Sequence, residues 1–341
     1  MQPGQRHEAI LNALRDKDSW RVTDLAEHLG VSAVTIRRDV DLLAGRGELV
    51  RSHGAVKLPP EPAVEAEGLL LGLLVPTAEY YFGEIIRGAR AEAESRGARI
   101  ALTISEYDSD IDAMHAKQLR DLGVNGLLIT PSVSEPAGET LESLLAGIEA
   151  PVVLVERDVG PGRADIEQVR SDHAQGGYTA AAHLAELGHR RIGLFLRESA
   201  TSPRIEDGAT AAAAALGLTI AATVKLNTPS FLPLASLIER IAAGEMTAVI
   251  AHSDQEAIKL VQQLRAHGLR VPEEVSVVGY DDEVTAIADL PLTAIAPPKF
   301  EVGAAAVGLL IDRLLHPERP PHRLALVPSL RIRATTGPAP A

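Results

Sequence analysis

Short, unbroken apolar runs recur along most of this chain, and amphipathic segments separate them. The runs are Leu69–Val75, Arg99–Ile104, Gly126–Thr130, Val152–Val155, Arg191–Leu196, Ala248–Ala251 and Val275–Tyr280. Because each run is continuous rather than alternating, it is typical of a strand buried on both faces of a parallel sheet. The segments between the runs have helical periodicity, and several end at a glycine that suits a helix C-terminus. The alternation predicts a doubly wound α/β body, and its length predicts two lobes.

The first 58 residues have a different pattern. A helix over residues 6–14 is followed by a second helix that begins at Thr23, a turn at Gly30 and a third helix that Ser32 caps. Helix, glycine turn and helix at this spacing are the signature of a helix-turn-helix motif. The segment from residue 48 to residue 57 is typical of two strands joined at a turn, and it predicts a wing beside the third helix.

The third helix is amphipathic. Its inward stripe consists of Ile36, Val40 and Leu43, which recur with helical spacing. Its outward side carries Ser32, Val34, Thr35, Arg37 and Arg38, and the wing carries Arg51, His53 and Lys57. Arginines donate to guanine edges and phosphates, threonine bonds phosphate, and an exposed valine suits a thymine methyl group. We expect these side chains to contact double-stranded DNA, and we expect Asp39 and Asp41 to brace the arginines within the helix.

A solvated charged surface is the alternative interpretation of this helix, since charged helix faces are usually just that. The charge distribution favours the DNA-binding interpretation. The whole chain has 33 basic and 46 acidic residues, a net charge of -13, which would repel phosphate. Residues 1–58, however, contain nine basic and eight acidic residues. Only this segment can approach a duplex.

A proline-rich, acidic stretch without apolar periodicity covers residues 59–67 and predicts a semi-rigid linker. We therefore divide the chain into a winged helix-turn-helix domain of residues 1–58, this linker, a two-lobed domain of residues 68–333 and a disordered tail of residues 334–341. The first residues lack the pattern of a signal peptide, so we expect none, and no apolar run of the sequence is long enough to cross a bilayer. We expect a cytoplasmic protein that does not associate with membranes.

Several classes of chemistry lack their usual sequence signals. Cysteine is absent, which excludes disulfides and thiolate metal sites. The eleven histidines show no metal-ligand spacing, so we expect no metal and no other cofactor. Glycine-rich nucleotide-binding patterns and a nucleophile elbow are also missing, so we do not expect an enzyme. Fold alone does not separate these classes, whereas the N-terminal domain does.

Ligands of doubly wound sheets bind beyond the carboxyl ends of the strands. The polar and aromatic residues that follow the predicted strands include Tyr80, Tyr81, Phe82, Thr130, Glu156, Arg157, Asp172, Arg204, Asp254 and Asp281. Carboxylates accept hydrogen bonds from sugar hydroxyls, arginine donates to them, and aromatic rings stack on a sugar face. The set predicts a small sugar-like effector. Asp172 suits a helix cap equally well, and Tyr80 suits a packing position.

Residues 22–40 (VTDLAEHLGVSAVTIRRDV), followed by Arg51-Ser52-His53-Gly54, resemble the DNA-binding domain of the deoxyribose-operon repressor (DeoR) family. The resemblance covers about residues 5–58, and its most specific part is Thr35-Ile36-Arg37-Arg38-Asp39. The family's wing usually has a second glycine after the histidine, whereas this chain has Ala55. The resemblance implies that the N-terminal domain binds DNA.

Residues 69–333 resemble the sensor domain of the lactose- and galactose-repressor (LacI/GalR) family, which shares its fold with periplasmic sugar-binding proteins. The most specific segments are residues 268–282 (GLRVPEEVSVVGYDD) and 291–295 (PLTAI). The resemblance implies effector contacts from both lobes, made by Tyr81, Phe82, Glu156, Arg157, Asp172, Asp254 and Asp281. Arg204 resembles the family's ligand-binding arginine, although it precedes Gly208 by four residues instead of three. The family usually has asparagine where this chain has His173.

Together the two resemblances imply a repressor of carbohydrate-utilisation genes that a small effector controls. Two chains, or a dimer of dimers, would place their recognition helices on a pseudo-palindromic operator. A cytoplasmic solute-binding protein and a nucleoside-responsive regulator remain the alternatives. The family's sensor signals through a hinge helix, whereas this chain has a wing and a proline-rich linker.

Overall fold

A computed structural model of the chain describes residues 3–17, 19–45, 49–52, 55–57, 68–132, 144–145, 147–158, 163, 165–226 and 232–340. These residues form two compact units, one within residues 1–65 and one within residues 66–341. The division falls inside the predicted linker, and residues 59–67 themselves lie outside the described part of the chain. Each unit has its own hydrophobic core.

The first unit consists, in its described part, of three helices and a small antiparallel sheet. The helices are α1 (Pro3–Asp16), α2 (Val22–His28) and α3 (Ala33–Gly45), and the strands are β1 (Trp20–Arg21), β2 (Val50–Ser52) and β3 (Ala55–Lys57). Strand β3 pairs with both β1 and β2. The predicted inward stripe of α3 is confirmed, because Ile36, Val40 and Leu43 are fully buried against Ile10 and Leu25. Burial of large apolar side chains holds the helices together.

The second unit contains two six-stranded sheets, which define lobe A and lobe B. The strands of lobe A, all parallel in the order β5-β4-β6-β7-β8-β14, are β4 (Leu70–Val75), β5 (Arg99–Ile104), β6 (Gly126–Ile129), β7 (Val152–Val155), β8 (Glu167–Ser171) and β14 (Arg323–Leu326). The strands of lobe B, in the order β10-β9-β11-β12-β13-β15, are β9 (Arg191–Arg197), β10 (Thr219–Leu226), β11 (Ala248–His252), β12 (Ser276–Tyr280), β13 (Thr293–Ala296) and β15 (Ser329–Arg331). Only the pair of β13 and β15 is antiparallel among these described strands.

Helices cover the faces of both sheets. Those of lobe A are α4 (Tyr81–Ser95), α5 (Ser109–Asp121) and α10 (Lys299–Leu315). Those of lobe B are α6 (His173–Glu186), α7 (Ser202–Leu216), α8 (Leu232–Ala242) and α9 (Asp254–Ala266). The predicted doubly wound fold of two lobes is thus confirmed, with the continuous apolar runs forming the central strands. Within the described residues, no helix has both the length and the apolar character needed to cross a membrane.

The chain crosses between the lobes three times within the described residues. Strand β8 of lobe A leads through Asp172 into α6 of lobe B, and β13 of lobe B leads through Pro297 and Pro298 into α10 of lobe A. Strand β14 of lobe A then leads through Val327 and Pro328 into β15 of lobe B. Each crossing follows the carboxyl end of a strand. Side chains at those ends can therefore contact both lobes.

In lobe A, the backbones of α4 and α10 meet through two glycines. A Cβ atom added to Gly88 of α4 would collide with the backbone carbonyl of Phe300 on α10. Reciprocally, a Cβ atom on Gly303 of α10 would collide with the carbonyl oxygen of Ile85 and would lie 2.9 Å from the amide nitrogen of Ala89, both on α4. Only glycine permits so close an approach of two backbones.

Lobe B repeats this arrangement between α6 and α7. A Cβ atom on Gly177 of α6 would collide with the carbonyl of Ile205, and one on Gly208 of α7 would collide with the carbonyl of Ala174. A glycine inside a helix costs roughly 1 kcal/mol relative to alanine. The close contact of the two helices offsets this cost in each lobe.

Replacing Gly303 with alanine should therefore lower the free energy of unfolding of the second unit by about 1–3 kcal/mol, as overpacking does. The matched control is Gly308→Ala on the same helix, where the nearest atom to an added Cβ is the Glu92 side chain at 3.6 Å. Alanine should be neutral there or stabilising by up to about 1 kcal/mol. Urea unfolding followed by circular dichroism compares the two, and equal effects would contradict the reciprocal-glycine packing.

The predicted disordered tail is wrong for residues 334–340, which pack as a strap along lobe B. Thr335 is fully buried, and its hydroxyl donates to the carbonyl of Val277 at 2.6 Å and accepts from the amide of Thr293 at 2.9 Å. The amide of Gly337 donates to Ser276 Oγ, and that of Ala339 donates to the carbonyl of Leu187. The sequence did not predict this ordered strap, because the strap has few apolar residues and is held in place by hydrogen bonds.

Replacing Thr335 with valine keeps its shape and removes both hydrogen bonds of its hydroxyl. The buried amide of Thr293 then lacks its acceptor, so the free energy of unfolding should fall by roughly 1–3 kcal/mol. Thr219→Val, at an exposed position of β10, should change it by less than about 0.5 kcal/mol. Thermal unfolding tests the pair, and an unchanged melting temperature for the Thr335 variant would argue against a structural strap.

Candidate nucleic-acid interface and ligand cleft

The N-terminal turn of α3 is ordered by its cap. The amide of Thr35 donates to Ser32 Oγ at 3.2 Å, and the two hydroxyls lie 2.8 Å apart. Next to this cap, Val34 is 77% exposed, and Arg37 and Arg38 are exposed as well. Neither arginine has a hydrogen bond or ion pair within the described residues. Such an outward surface can meet the edges of bases and phosphates.

The prediction that Asp39 braces these arginines is wrong. Asp39 is buried and pairs with two residues of α1, accepting from the Arg6 guanidinium and lying 3.2 Å from Nε2 of His7. The Arg6 hydrogen bond lowers the pKa of the Asp39 carboxyl. This pair fastens α3 to α1. As a result the α3 arginines keep their donors for another partner.

Two of the predicted wing residues lie on described strands. Arg51 is in β2 and Lys57 is in β3, which pair in antiparallel register with Arg51 opposite Val56. His53, at the predicted turn, lies outside the described residues. The two strands of the predicted hairpin are thus present and paired.

A cavity of about 150 Å³ lies between lobe A and lobe B. Its lining residues are Glu156, Arg157, Asp158, Arg170, His173, Ala200, Thr201, Pro203, Arg204 and Asp207. Residues that follow β7 and β8 form one side, and residues at the start of α7 form the other. Of the predicted effector residues, the structure brings Glu156, Arg157 and Arg204 together here.

The carboxylate of Glu156 is the centre of a buried hydrogen-bond network. Its Oε1 accepts from Tyr81 OH at 2.9 Å and from Ser171 Oγ at 2.7 Å, and its Oε2 accepts from the Ser171 amide at 3.0 Å. His173 Nε2 lies 3.4 Å from Oε2. Burial opposes ionisation, but the nearby His173 ring and the hydrogen bonds from Ser171 lower the pKa of Glu156. The network joins β7, the β8–α6 crossing and α4, and it places Tyr81 beside the cleft.

Asp281 connects the two lobes directly. It follows β12 of lobe B, and its Oδ2 accepts from Tyr80 OH of lobe A at 3.3 Å. Its backbone carbonyl accepts from the buried ammonium of Lys299, which also lies 2.5 Å from Glu283 Oε1 and 5.3 Å from the Tyr81 ring centroid. Tyr80, Glu156 and Asp281 all have positive φ angles, of 50°, 54° and 93°. Non-glycine residues adopt this conformation infrequently, and those that do cluster at turns and functional sites.

Asp254 lies after β11, as the sequence predicts, and its carboxylate bonds the neighbouring loop. It is fully buried, and its carboxylate accepts three backbone amides, those of Asp282, Glu283 and Val284. Burial raises the pKa of Asp254 to about 7 despite these donors. The Asp254 carboxylate thus fixes the loop after β12, and this loop carries Asp281.

The remaining predicted effector residues lie outside the cavity lining. Phe82 is 4% exposed and packs in the core of lobe A. Asp172 caps α6, accepting from the Gln175 amide at 3.1 Å. Thr130 is fully buried after β6, and its hydroxyl has no hydrogen-bond partner among the described residues. The effector role of these residues, as of the others, stays a prediction.

Sequence reasoning missed Asp158, Lys299 and the polar role of His173. Asp158 Oδ2 accepts from Arg204 across the cleft at 2.8 Å, and His173 Nδ1 lies 3.2 Å from Tyr280 OH. Asp158 had a usable signal, because it directly follows the Glu156-Arg157 pair at a strand end. Lys299 had none, since its partners lie on a loop sixteen or more residues earlier in the sequence.

Comparison with known proteins defines the class of both units. Residues 6–61 match the model of the DeoR-like helix-turn-helix domain, and residues 181–336 match that of the periplasmic binding protein-like domain. The chain therefore combines a DeoR-like helix-turn-helix domain with a periplasmic binding protein-like domain. The predicted resemblances to both families are confirmed. The second match extends to residue 336, into the strap.

Several proteins similar to the chain are transcriptional repressors. The arabinose metabolism transcriptional repressor of Halalkalibacterium halodurans is 26% identical over 304 residues, which cover 85% of this chain and 81% of that protein. The HTH-type transcriptional repressor PurR of Haemophilus influenzae is 29% identical over 332 residues, covering 92% and 97%. A LacI family transcriptional regulator of Enterococcus faecium, solved with bound ribose, has a TM-score of 0.65 at 24% identity and covers 79% of this chain and 99% of its own. This structural likeness shows the shared fold.

Replacing Glu156 with glutamine turns one of its two acceptor oxygens into a donor. The donors from Ser171 and Tyr81 then exceed the remaining acceptor, so the free energy of unfolding of the second unit should fall by roughly 1–3 kcal/mol at neutral pH. Glu94→Gln, at an exposed position of α4, should change it by less than about 0.5 kcal/mol.

Acid should reduce the difference in stability between the wild type and the glutamine variant. Because the pKa of Glu156 is lowered on folding, its ionisation stabilises the native protein above the ordinary value of 4.5 and this contribution is lost as the pH falls below it. The glutamine variant has no such contribution to lose. Urea unfolding at several pH values measures the difference, and equal acid sensitivity of both forms would contradict the network.

Proposed function

We propose that this chain is a transcriptional repressor whose first unit binds an operator and whose second unit binds a small polar effector. One observation carries the proposal: a single chain joins an outward-facing recognition helix, with Val34, Arg37 and Arg38 exposed, to a two-lobed sensor with a charged cavity. The repressors to which it is similar support the same assignment. We propose no catalytic activity.

DNA recognition would rest on α3 and the wing. Arg37 and Arg38 extend from a helix whose inner side is fixed by the core and by the Asp39 pair with α1. Recognition helices contact base edges mainly through their N-terminal residues, which here include Val34 and Thr35. Arg51, His53 and Lys57 would add contacts to the DNA backbone.

Effector control would rest on the cleft. A ligand that bonds residues of both lobes changes the balance between arrangements of the lobes, and any difference in operator affinity between those arrangements couples the two sites reciprocally. Such couplings are typically about 1–3 kcal/mol. We propose a sugar-like effector, bound by Arg157 of lobe A and Arg204 of lobe B, because these two side chains line the cavity from both lobes.

We also propose that the repressor acts in the cytoplasm as a homodimer. Two-fold symmetry would match two half-sites of a pseudo-palindromic operator. A dimer of dimers would need a second interface in addition.

Arg37→Ala or Arg38→Ala should weaken operator binding by about 10- to 100-fold, the range expected for a specific base contact. An arginine that contacts only phosphate would instead weaken all sequences uniformly and lower the salt slope by about one. Fluorescence anisotropy measures both, using the full chain and an operator obtained by in vitro selection, across a range of salt concentrations.

The matched control is Arg90→Ala, which removes the same charge from an exposed position of α4 in the second unit. It should leave the operator affinity and its salt slope unchanged. A wild-type affinity that does not vary with salt, or equal losses in all three variants, would contradict the proposed interface.

A further inference from the structure

Three arginines line the cavity between the lobes, and the carboxylates beside them are already engaged. The arginines are Arg157, Arg170 and Arg204, and the carboxylates are Glu156, Asp158 and Asp207. Both oxygens of Glu156 accept hydrogen bonds from Ser171 and Tyr81. Asp207 is exposed at the rim. This leaves Asp158 as the acid that faces the arginines inside the cavity.

Arg157 is a buried cation without a carboxylate partner among the described residues. It is only 7% exposed, and its Nε and Nη1 donate to the carbonyls of Pro131 and Glu156, both at 2.8 Å. Its Nη2 has no hydrogen-bond acceptor in the described part of the chain. A buried charge is costly unless it is paired. The two carbonyls orient the guanidinium but do not neutralise it.

The other two arginines share one acid. Arg204 Nη2 donates to Asp158 Oδ2 at 2.8 Å, and Arg170 Nε lies 3.8 Å from the same oxygen. The Arg170 Nε atom is buried and has no hydrogen bond. One carboxylate thus faces two guanidinium groups, while a third lies in the same cavity. The three arginines and three carboxylates of the lining balance in formal charge, but guanidinium N–H groups of Arg157 and Arg170 have no acceptor among the described residues.

We propose that the effector is a compact sugar that carries an anionic group, a phosphate or a carboxylate, bound by Arg157, Arg170 and Arg204. The inference deepens the proposed effector site and rests on it. Planar guanidinium groups match the geometry of both anions and bind them in bidentate fashion. The sugar hydroxyls would bond the polar groups at the lobe junction, such as Thr201. The cavity of about 150 Å³ suits a single sugar unit better than an oligomer.

Matched pairs of sugars test this proposal. The full chain is titrated by calorimetry with ribose and ribose 5-phosphate, with glucose, glucose 6-phosphate and gluconate, and with arabinose and arabinonate. For at least one pair the anionic member should bind at least about 100-fold more tightly than the neutral member, because a site with buried donors rejects a ligand that leaves them unpaired. The phosphate and carboxylate members distinguish the two possible sources of the charge.

Inorganic phosphate probes the anion subsite without any assumption about the sugar. At constant ionic strength it should raise the melting temperature of the wild-type chain more than that of Arg204→Gln, with Arg204→Lys between them. General effects of phosphate on protein stability are the same in all variants. Arg90→Gln, at its exposed position, should respond as the wild type does. Arg204 is preferred to Arg157 for this test, since it is partly exposed and its loss removes only the Asp158 bond.

Three results would overturn the proposal. Equal or tighter binding of the neutral sugars is the first, and equal phosphate responses in wild type and Arg204→Gln with no anionic sugar bound is the second. Binding of an anionic sugar that Arg204→Gln leaves unchanged is the third. Operator binding in the same preparations separates these failures from failure of the proposed function, because a repressor with a neutral effector still binds its operator.

Discussion

The buried carboxylate of Glu156 imposes the main constraint on the second unit. Taken out of water, it needs donors from the protein, and two parts of the chain supply them: Ser171 at the end of β8 and Tyr81 on α4. The ring of His173 at the start of α6 lies 3.4 Å away. Ser171 and His173 flank the first crossing between the lobes. The crossing segment therefore lies beside the Glu156 carboxylate. The orientation of Arg157, whose Nη1 bonds the Glu156 carbonyl, follows from the same geometry.

Much of the fold could be predicted from the sequence, because its determinants are local and periodic. Buried parallel strands need continuous apolar runs, which the sequence contains. The core-facing side of α3 needs apolar residues at helical spacing, and this spacing predicted the buried residues Ile36, Val40 and Leu43. The strap at residues 334–340 has no such period. Its stability comes from hydrogen bonds between Thr335 and backbone groups more than forty residues away, and a single sequence contains no record of those pairings.

The candidate site was predictable in a coarser sense. Position after a strand shows that a polar residue lies near the cleft, but it does not show which of its atoms remain available. Asp254 and Asp281 both follow strands of lobe B, yet the carboxylate of Asp254 is occupied by three amides while that of Asp281 meets Tyr80 from the other lobe. Asp39 is a parallel case in the first unit, since its partners are on α1 instead of on its own helix. The choice of partner is a tertiary property, and residue type does not determine it.

Bonds across the cleft connect the binding of a ligand to the relative stability of different arrangements of the two lobes. Asp158 of lobe A and Arg204 of lobe B form an ion pair, and Tyr80 and Asp281 form a hydrogen bond. A ligand that accepts from Nη2 of Arg204 in place of Asp158 would replace one inter-lobe contact with others that pass through the ligand. The free-energy difference between these two sets of contacts is all that the ligand can contribute to any shift of the lobes. Affinity and control are therefore separate properties of this cleft. A tight ligand that preserved the balance of inter-lobe contacts would bind without changing the operator affinity, whereas a weaker one that displaced Asp158 would change it.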